Sequence, residues 1–260
     1  MEIFIGFLLS TIISLVAYRK KSLDLSGLVM AVIMGTLIYF FGTYIVFTLL
    51  MLFFISSSII TKFKKDETND HEKRGRNYIQ VIVNSLPALV FCIGYYFTKN
   101  HSFLVVAAVA IAASTSDTWA SEIGKLSKGN VVSIINFKLI SKGESGGISL
   151  VGTIASLIGS FFIGIAFLGL MIIEFKYSNQ YLIYLIILIF GGFLGSIVDS
   201  YMGVLLQGKF LNKETNTKTE KRVKGNSYLL VSGFFFINND VVNFLSTTIV
   251  AIIFGFIVIR

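Results

Sequence analysis

Eight apolar stretches, each close to the length a bilayer demands, set the terms for what this chain can fold into. They fall at 2–18, 27–41, 43–61, 78–97, 102–122, 148–173, 181–206 and 241–259. A helix needs roughly 20 mostly apolar residues to cross the hydrocarbon core, because lipid offers no partner to an unpaired backbone N–H or C=O. Pro87 is the only proline in the chain, so the stretches run almost uninterrupted. Charged residues make up 14% of the sequence. A soluble domain carries about 25%, so soluble parts are confined to loops. The expected architecture is an all-α polytopic membrane bundle of about eight spans. It forms one integral membrane domain over 1–260, with loops at 62–76, 123–147 and 207–240. The stretch 27–41 is short enough to be tilted or re-entrant. The start, Met1 to Val16, lacks a basic leader and is followed by Arg19-Lys20-Lys21, so it reads as a retained span rather than a signal peptide.

A net charge of +8 invites a nucleic-acid partner, but the placement of the cations argues against one. Of the 22 Lys and Arg residues, 19 fall in one set of alternate loops, while only Lys99, Lys176 and Arg260 fall in the other. Positive-inside bias then puts the charged loops in the cytoplasm of a cell-membrane protein and both termini outside, which requires an even number of crossings. The loops 62–76 and 209–225 read as solvated and mobile. Cys92 is the single cysteine and lies in an apolar run, which excludes an intrachain disulfide and marks it as a packing residue.

Polar residues gather at the ends of spans that share this charged side. Gln80 and Asn84 open the fourth stretch, one helical turn apart. Asp117, Thr118, Trp119, Ser121 and Glu122 close the fifth. Asp199, Gly203 and Gln207 follow an i, i+4, i+8 track at the end of the seventh, where small Gly203 would leave room for a ligand. Asn239, Asp240 and Asn243 open the eighth. A carboxylate costs roughly 2.5–3.5 kcal/mol at a span centre and less near the interface. Asp117, Asp199 and Asp240 therefore point to a shared site holding metal, phosphate or mutual hydrogen bonds, although a single interfacial acid could simply meet water and headgroups. Asp117 and Glu122 lie about 140° apart around a helix and would share a ligand only if the helix ended near Glu122.

The run Lys142-Gly143-Glu144-Ser145-Gly146-Gly147-Ile148-Ser149 has a composition suited to phosphate, with glycines for close backbone approach and a helix N-terminus to follow. It also suits a plain cap and tight turn, and it is not a Walker loop. His71 and His101 fall in opposite loops, so neither a histidine zinc site nor a Ser/His/Asp triad can be assembled. Trp119 reads as an interfacial anchor or a stacking platform, and Gly191-x-x-x-Gly195 as a helix-packing face.

Taken together, several blocks resemble a family of integral membrane proteins that includes the plant phytyl-phosphate kinase. They are Ser22-Leu23-Asp24-Leu25-Ser26-Gly27, Arg76-Asn77-Tyr78-Ile79-Gln80-Val81 with Asn84, and Asp117-Thr118-Trp119-Ala120-Ser121-Glu122. Further blocks are Gly146-Gly147-Ile148-Ser149, Asp199-Ser200 with Gly203 and Gln207, and Asn239-Asp240 with Asn243. The resemblance implies a membrane kinase that converts an isoprenoid monophosphate to the diphosphate with CTP and Mg²⁺, at the cytoplasmic leaflet. On that basis Asp117, Asp199 and Asp240 are expected to hold the metal, with Glu122 beside them. Lys142, Ser145, Gly146, Gly147, Ser149, Lys125 and Arg76 are expected to bind phosphate. Gln80, Asn84, Gln207, Asn239 and Asn243 are expected to orient nucleotide or lipid phosphate. The expected partners are membrane lipids, the isoprenoid phosphate and the nucleotide. Rival readings are a transporter or lipid flippase, whose polar breaks would sit at the bilayer midplane, and a cytidylyltransferase that makes a CDP-lipid from the same nucleotide.

Overall fold

The computed structural model describes residues 1–63, 75–126, 128–213, 218–220 and 228–259. Seven helices in it are long and apolar enough to cross a membrane: α1 (Glu2–Arg19), α2 (Leu25–Phe63), α3 (Tyr78–Thr98), α4 (Ser102–Leu126), α5 (Leu150–Phe175), α6 (Gln180–Leu205) and α7 (Asn239–Val258). The bundle is all-α in its membrane part, as the spacing of the apolar stretches leads one to expect.

The stretches at 27–41 and 43–61 need a closer look, because they belong to a single 39-residue element. A straight helix of that length would measure about 58 Å, nearly twice the hydrocarbon thickness. The backbone instead reverses at Thr43, whose φ of 62° and ψ of 176° leave the helical region. Phe47 packs its ring against Tyr39, centroids 5.4 Å apart, and also reaches Gly35. In a straight helix, Gly35 and Phe47 would stand about 18 Å apart. The two arms are therefore antiparallel, and α2 has the length and reversal for two crossings. The reversal has no loop. The Thr43 hydroxyl accepts from the Ile45 N–H (3.3 Å) and begins the second arm as a cap would.

Helix α4 is the axis of the bundle. Every residue from Leu104 to Ser116 is buried, and the helix packs against α2, α3, α5, α6 and α7. Its run of alanines and the glycines of α6 explain how the two approach so closely. A Cβ on Gly191 would lie 2.8 Å from Val109, and one on Gly195 would collide with Ala113. The Gly191-x-x-x-Gly195 pair is thus a packing face, matching α4 residue for residue at four-residue steps. Cys92 is fully buried, at the point where α3 meets Gly42.

Because α2 doubles back, the described connections sort into two faces. Thr43, Lys99 and Lys176 turn the chain at one face, where the Tyr44 hydroxyl donates to Glu174 (2.7 Å). The other, basic face holds the links 20–24 and 128–149 and the described parts of the stretch from 206 to 238. These carry small sheets that the apolar pattern did not announce. β1 (Val132–Ser133) pairs with β2 (Gly147–Ile148), and β3 (Lys209–Asn212) lies between β4 (Lys218–Thr219) and β5 (Tyr228–Ser232). Helix α4 runs on to Leu126, past the expected loop start at 123. Most of the charged loop 62–76, with His71, and much of 209–225 lie outside the described residues, so the solvated reading of those loops lies outside them too.

Candidate functional site at the basic face

The site is built where α4 changes character. After thirteen buried residues the helix turns polar at Asp117, about 13 Å short of its last residue. Asp199 occupies the matching depth on α6, about 9 Å from that helix's end. Their carboxyl groups lie close enough to interact directly. Helix α7 closes the third side. The Ser246 hydroxyl donates to Asp199 Oδ2 (3.0 Å). Asn243, with its amide oriented as the surrounding donors and acceptors require, donates to the same oxygen (3.0 Å) and to the Asn239 carbonyl (3.0 Å). Two carboxyl groups in contact at low dielectric repel unless a proton or a cation lies between them. Neither aspartate is wholly enclosed, and both lie toward the ends of their helices that lead to the basic face.

Asp240 is not brought into this cluster. It lies in the first turn of α7, where a carboxylate meets the positive end of the helix dipole, and Asn238 caps the same turn by accepting from the Val241 N–H (3.0 Å). Among the described residues no three His, Cys, Asp or Glu side chains converge as they would around a metal. Nor does Glu122 share a ligand position with Asp117, because α4 remains helical between them. Glu122 pairs loosely with Lys125 (3.7 Å), and one of its oxygens is buried without a hydrogen bond.

Arg76 is fixed by the Ser22–Gly27 block. Its N–H donates to the Ser22 carbonyl (2.9 Å) and its carbonyl accepts from the Asp24 N–H (3.1 Å). A Cβ at Gly27 would collide with that carbonyl, which is why glycine stands there. Asp24 accepts from the Ser26 hydroxyl and the Gly27 N–H (both 2.7 Å), and Ser26 in turn accepts from the Tyr78 N–H (3.2 Å). The guanidinium lies over the rings of Phe53 (5.8 Å) and Phe54 (5.3 Å) and donates to Ser58 (3.3 Å). Burial lowers its pKa to about 10, against the opposing pull of Glu122, so it stays charged at neutral pH. Below it, Asn77 and Gln80 form a reciprocal capping box at the start of α3, and the Asn84 amide donates to the Gln80 carbonyl (2.7 Å).

The glycine-rich run lies on α6. Gly146, at φ 77°, presses on Val204 and the Ser200 carbonyl, and the Gly147 N–H donates to the Glu144 carbonyl (3.1 Å). Ser149 caps α5 by accepting from the Gly152 N–H (3.1 Å). The space at Gly203 is filled by Ser145 and Gly146 rather than left open. Yet an anion does sit in this loop. The Glu220 carboxylate accepts from the Ser145 N–H (2.7 Å), the Ser145 hydroxyl (2.6 Å) and the amide of buried Gln207 (3.0 Å). Lys209 pairs with Glu144 beside it (3.0 Å), while Lys142 is exposed. Trp119 stacks on Phe162 of α5 (5.5 Å) and serves packing there.

Ser246, Glu220 and Lys209 were not among the residues singled out from the sequence. Ser246 carries a usable signal, since it sits one turn beyond Asn243 on the same helix face. Glu220 and Lys209 lie in loop segments whose pairing only the fold reveals.

A polytopic helical membrane protein with two aspartates paired near the basic ends of its helices is the class this fold and site define. The family model described as "Integral membrane protein DUF92" matches residues 8–251, and the chain belongs to that family. It is 29% identical to "Protein PGR" of Arabidopsis thaliana over 92% of this chain and 90% of that protein. It is 30% identical to "Uncharacterized membrane protein MJ0933" of Methanocaldococcus jannaschii over 82% of this chain and 87% of that one. "Protein VTE6, chloroplastic" of Arabidopsis thaliana is 27% identical over 89% of this chain, which spans 64% of that longer protein. No solved structure matches.

Proposed function

We propose that this protein is a membrane-embedded kinase that transfers the γ-phosphoryl group of CTP to an isoprenoid monophosphate. The observation that carries the reading is the contact between Asp117 and Asp199, held by Ser246 and Asn243 near the helix ends that lead to the face bearing most of the chain's cations. Membership of a family with an Arabidopsis relative named VTE6 supports it, as does the resemblance of the Asp117–Glu122 block to the phytyl-phosphate kinase family. We assign the basic face to the cytoplasm and both termini to the outside.

In this reading Asp117 and Asp199 hold Mg²⁺, which suits their donor set: magnesium takes one or two carboxylates and completes its shell with substrate phosphates and water. The metal would neutralise charge on the nucleotide phosphates. Asn243 and Ser246 fix the orientation of Asp199, and Asn239 holds Asn243. Arg76 pairs with the acceptor phosphate, and Gln80 and Asn84 line its approach. Lys125 and Lys142 attract the nucleotide, whose phosphates compete with Glu220 for the Ser145 and Gln207 donors beside Gly146, Gly147 and Ser149. Glu122 sets the spacing between Arg76 and Lys125. Asp240 favours the start of α7 from outside the centre. A phosphate oxygen of the acceptor attacks the γ-phosphorus, a new P–O bond forms, the bond to the β-phosphate oxygen breaks, and CDP leaves. The acceptor is already anionic, so no general base is required.

Product analysis tests this. Purified protein with Mg²⁺, CTP and geranylgeranyl or phytyl monophosphate is expected to release CDP in step with lipid diphosphate. Pyrophosphate with a CDP-lipid would instead establish cytidylyl transfer, and the absence of any product from folded protein would favour transport.

A further inference from the structure

A second feature of the basic face is a cavity of about 50 Å³, open at one side and lined by α1, both arms of α2, and α3. Its walls are apolar, with Ala31, Met34 and Leu50 among them, and Arg76 stands at its head with Gln80 and Asn84. It reaches down to Ser10, nine residues below the basic end of α1, or about 14 Å along the helix axis. Ser10 is 1% exposed, and its hydroxyl has no hydrogen-bond partner among the described residues. Helix α1 turns most of its length outward.

We infer that this cavity is the seat of the lipid acceptor, with the isoprenoid chain between α1 and α2 and the phosphate on Arg76. This rests on the kinase reading and makes it more specific. A slot with apolar walls and one fixed guanidinium at the aqueous end complements a single-chain amphiphile with an anionic head. A soluble nucleotide would leave the apolar walls unused, and a neutral lipid would leave the arginine unmatched. Glu122 is the electrostatic neighbour of both Arg76 and Asp117, so a phosphate on Arg76 stands on the side of the bundle that leads to the aspartate pair. The cavity thereby separates the two substrates. The acceptor enters laterally from the leaflet between α1 and α3, while the nucleotide approaches from water over α4 and α6.

Two experiments decide the matter. In the first, Ala31→Phe narrows the slot, and kcat/KM is measured for 20-carbon and 5-carbon isoprenyl monophosphates. The ratio is expected to fall by about tenfold, and an unchanged ratio overturns the assignment. The second needs no turnover, so it separates failure of the cavity from failure of the kinase reading. A diazirine-bearing 20-carbon isoprenyl monophosphate is photolysed with the full-length protein, and the labelled peptides are mapped. Label on α1, α2 and α3 is expected, competed by geranylgeranyl phosphate and reduced in Ala31→Phe and Arg76→Gln. Label on other helices, or label competed equally by phosphatidylglycerol, would mean that the slot merely holds bilayer lipid and would overturn the proposal.

Discussion

Ser246 and Asp199 sit on different helices, yet the hydroxyl of one donates to the carboxylate of the other across 3.0 Å and ties α7 to α6 at the depth of Asp117. The bond gives Ser246, which opens the Ser246-Thr247-Thr248 run of α7, a partner on the neighbouring helix. It also orients the carboxylate that two carboxyl groups in contact would otherwise push apart. Ser246→Ala removes that donor without removing an acid. A hydrogen bond to a charged group is worth about 1.5–3 kcal/mol, so kcat/KM for diphosphate formation should fall by about 10- to 100-fold. Steady-state kinetics of the purified variant checks this, and Ser246→Thr should retain more of the rate because it keeps the hydroxyl.

The reversal at Thr43 gives a prediction about stability. A β-branched residue at φ 62° and ψ 176° occupies a region that is essentially glycine's, at a cost of about 1–3 kcal/mol. Losing the hydroxyl cap to glycine costs only a few tenths of a kcal/mol. Thr43→Gly should therefore raise the thermal midpoint in detergent, as followed by circular dichroism, whereas Thr43→Val should lower it.

The close approach of α6 to α4 should be intolerant of added volume. Gly195→Ala places a methyl group against Ala113 in a fully packed seam, and overpacking costs about 1–3 kcal/mol. Thermal unfolding should show the loss, and Gly169→Ala, where nothing lies within 4 Å, should show none.

Glu220, the residue that follows β4, is held on the 141–149 loop by Ser145 and is bound by Gln207. In Glu220→Ala the amide of Gln207, which is 2% exposed, loses this bond, and an unsatisfied buried donor costs about 1–3 kcal/mol. Limited proteolysis should cut the 206–238 stretch faster in the variant, and added CTP should restore protection.

The topology can be tested by chemistry. With Cys92 replaced by alanine, single cysteines at Lys138 and Lys176 should react with a membrane-impermeant thiol reagent from opposite sides of sealed vesicles. If both label from the same side, the two-face arrangement fails.

How far the sequence discloses this molecule differs from one part to the next. Span positions are legible because lipid enforces an apolar length. The gathering of acids and amides at one face is legible because burying them elsewhere is costly. The reversal inside α2 is marked only by excess length, since Gly42-Thr43 turns the chain without a polar loop. Asp240 reads like Asp117 and Asp199 in one dimension, but the fold leaves it in the first turn of α7, outside their pair. The glycines at 146, 147 and 203 read as a cradle, yet Gly146 packs on Gly203 and Val204 of α6, and Gly147 on Val131 and Ile140. Which anion their neighbours bind depends on Glu220, far along the chain, and no local pattern encodes that.

The most direct test of the central claim is transfer of label from γ-³²P-CTP to geranylgeranyl monophosphate by wild-type protein, Asp117→Asn and Asp199→Asn, each shown to be folded. Labelled diphosphate should form with wild type and fall by about 10³-fold in both variants, because each removes a carboxylate assigned to the metal. Transfer that persists in either variant at near wild-type rate would contradict the assignment of the aspartate pair as the catalytic centre.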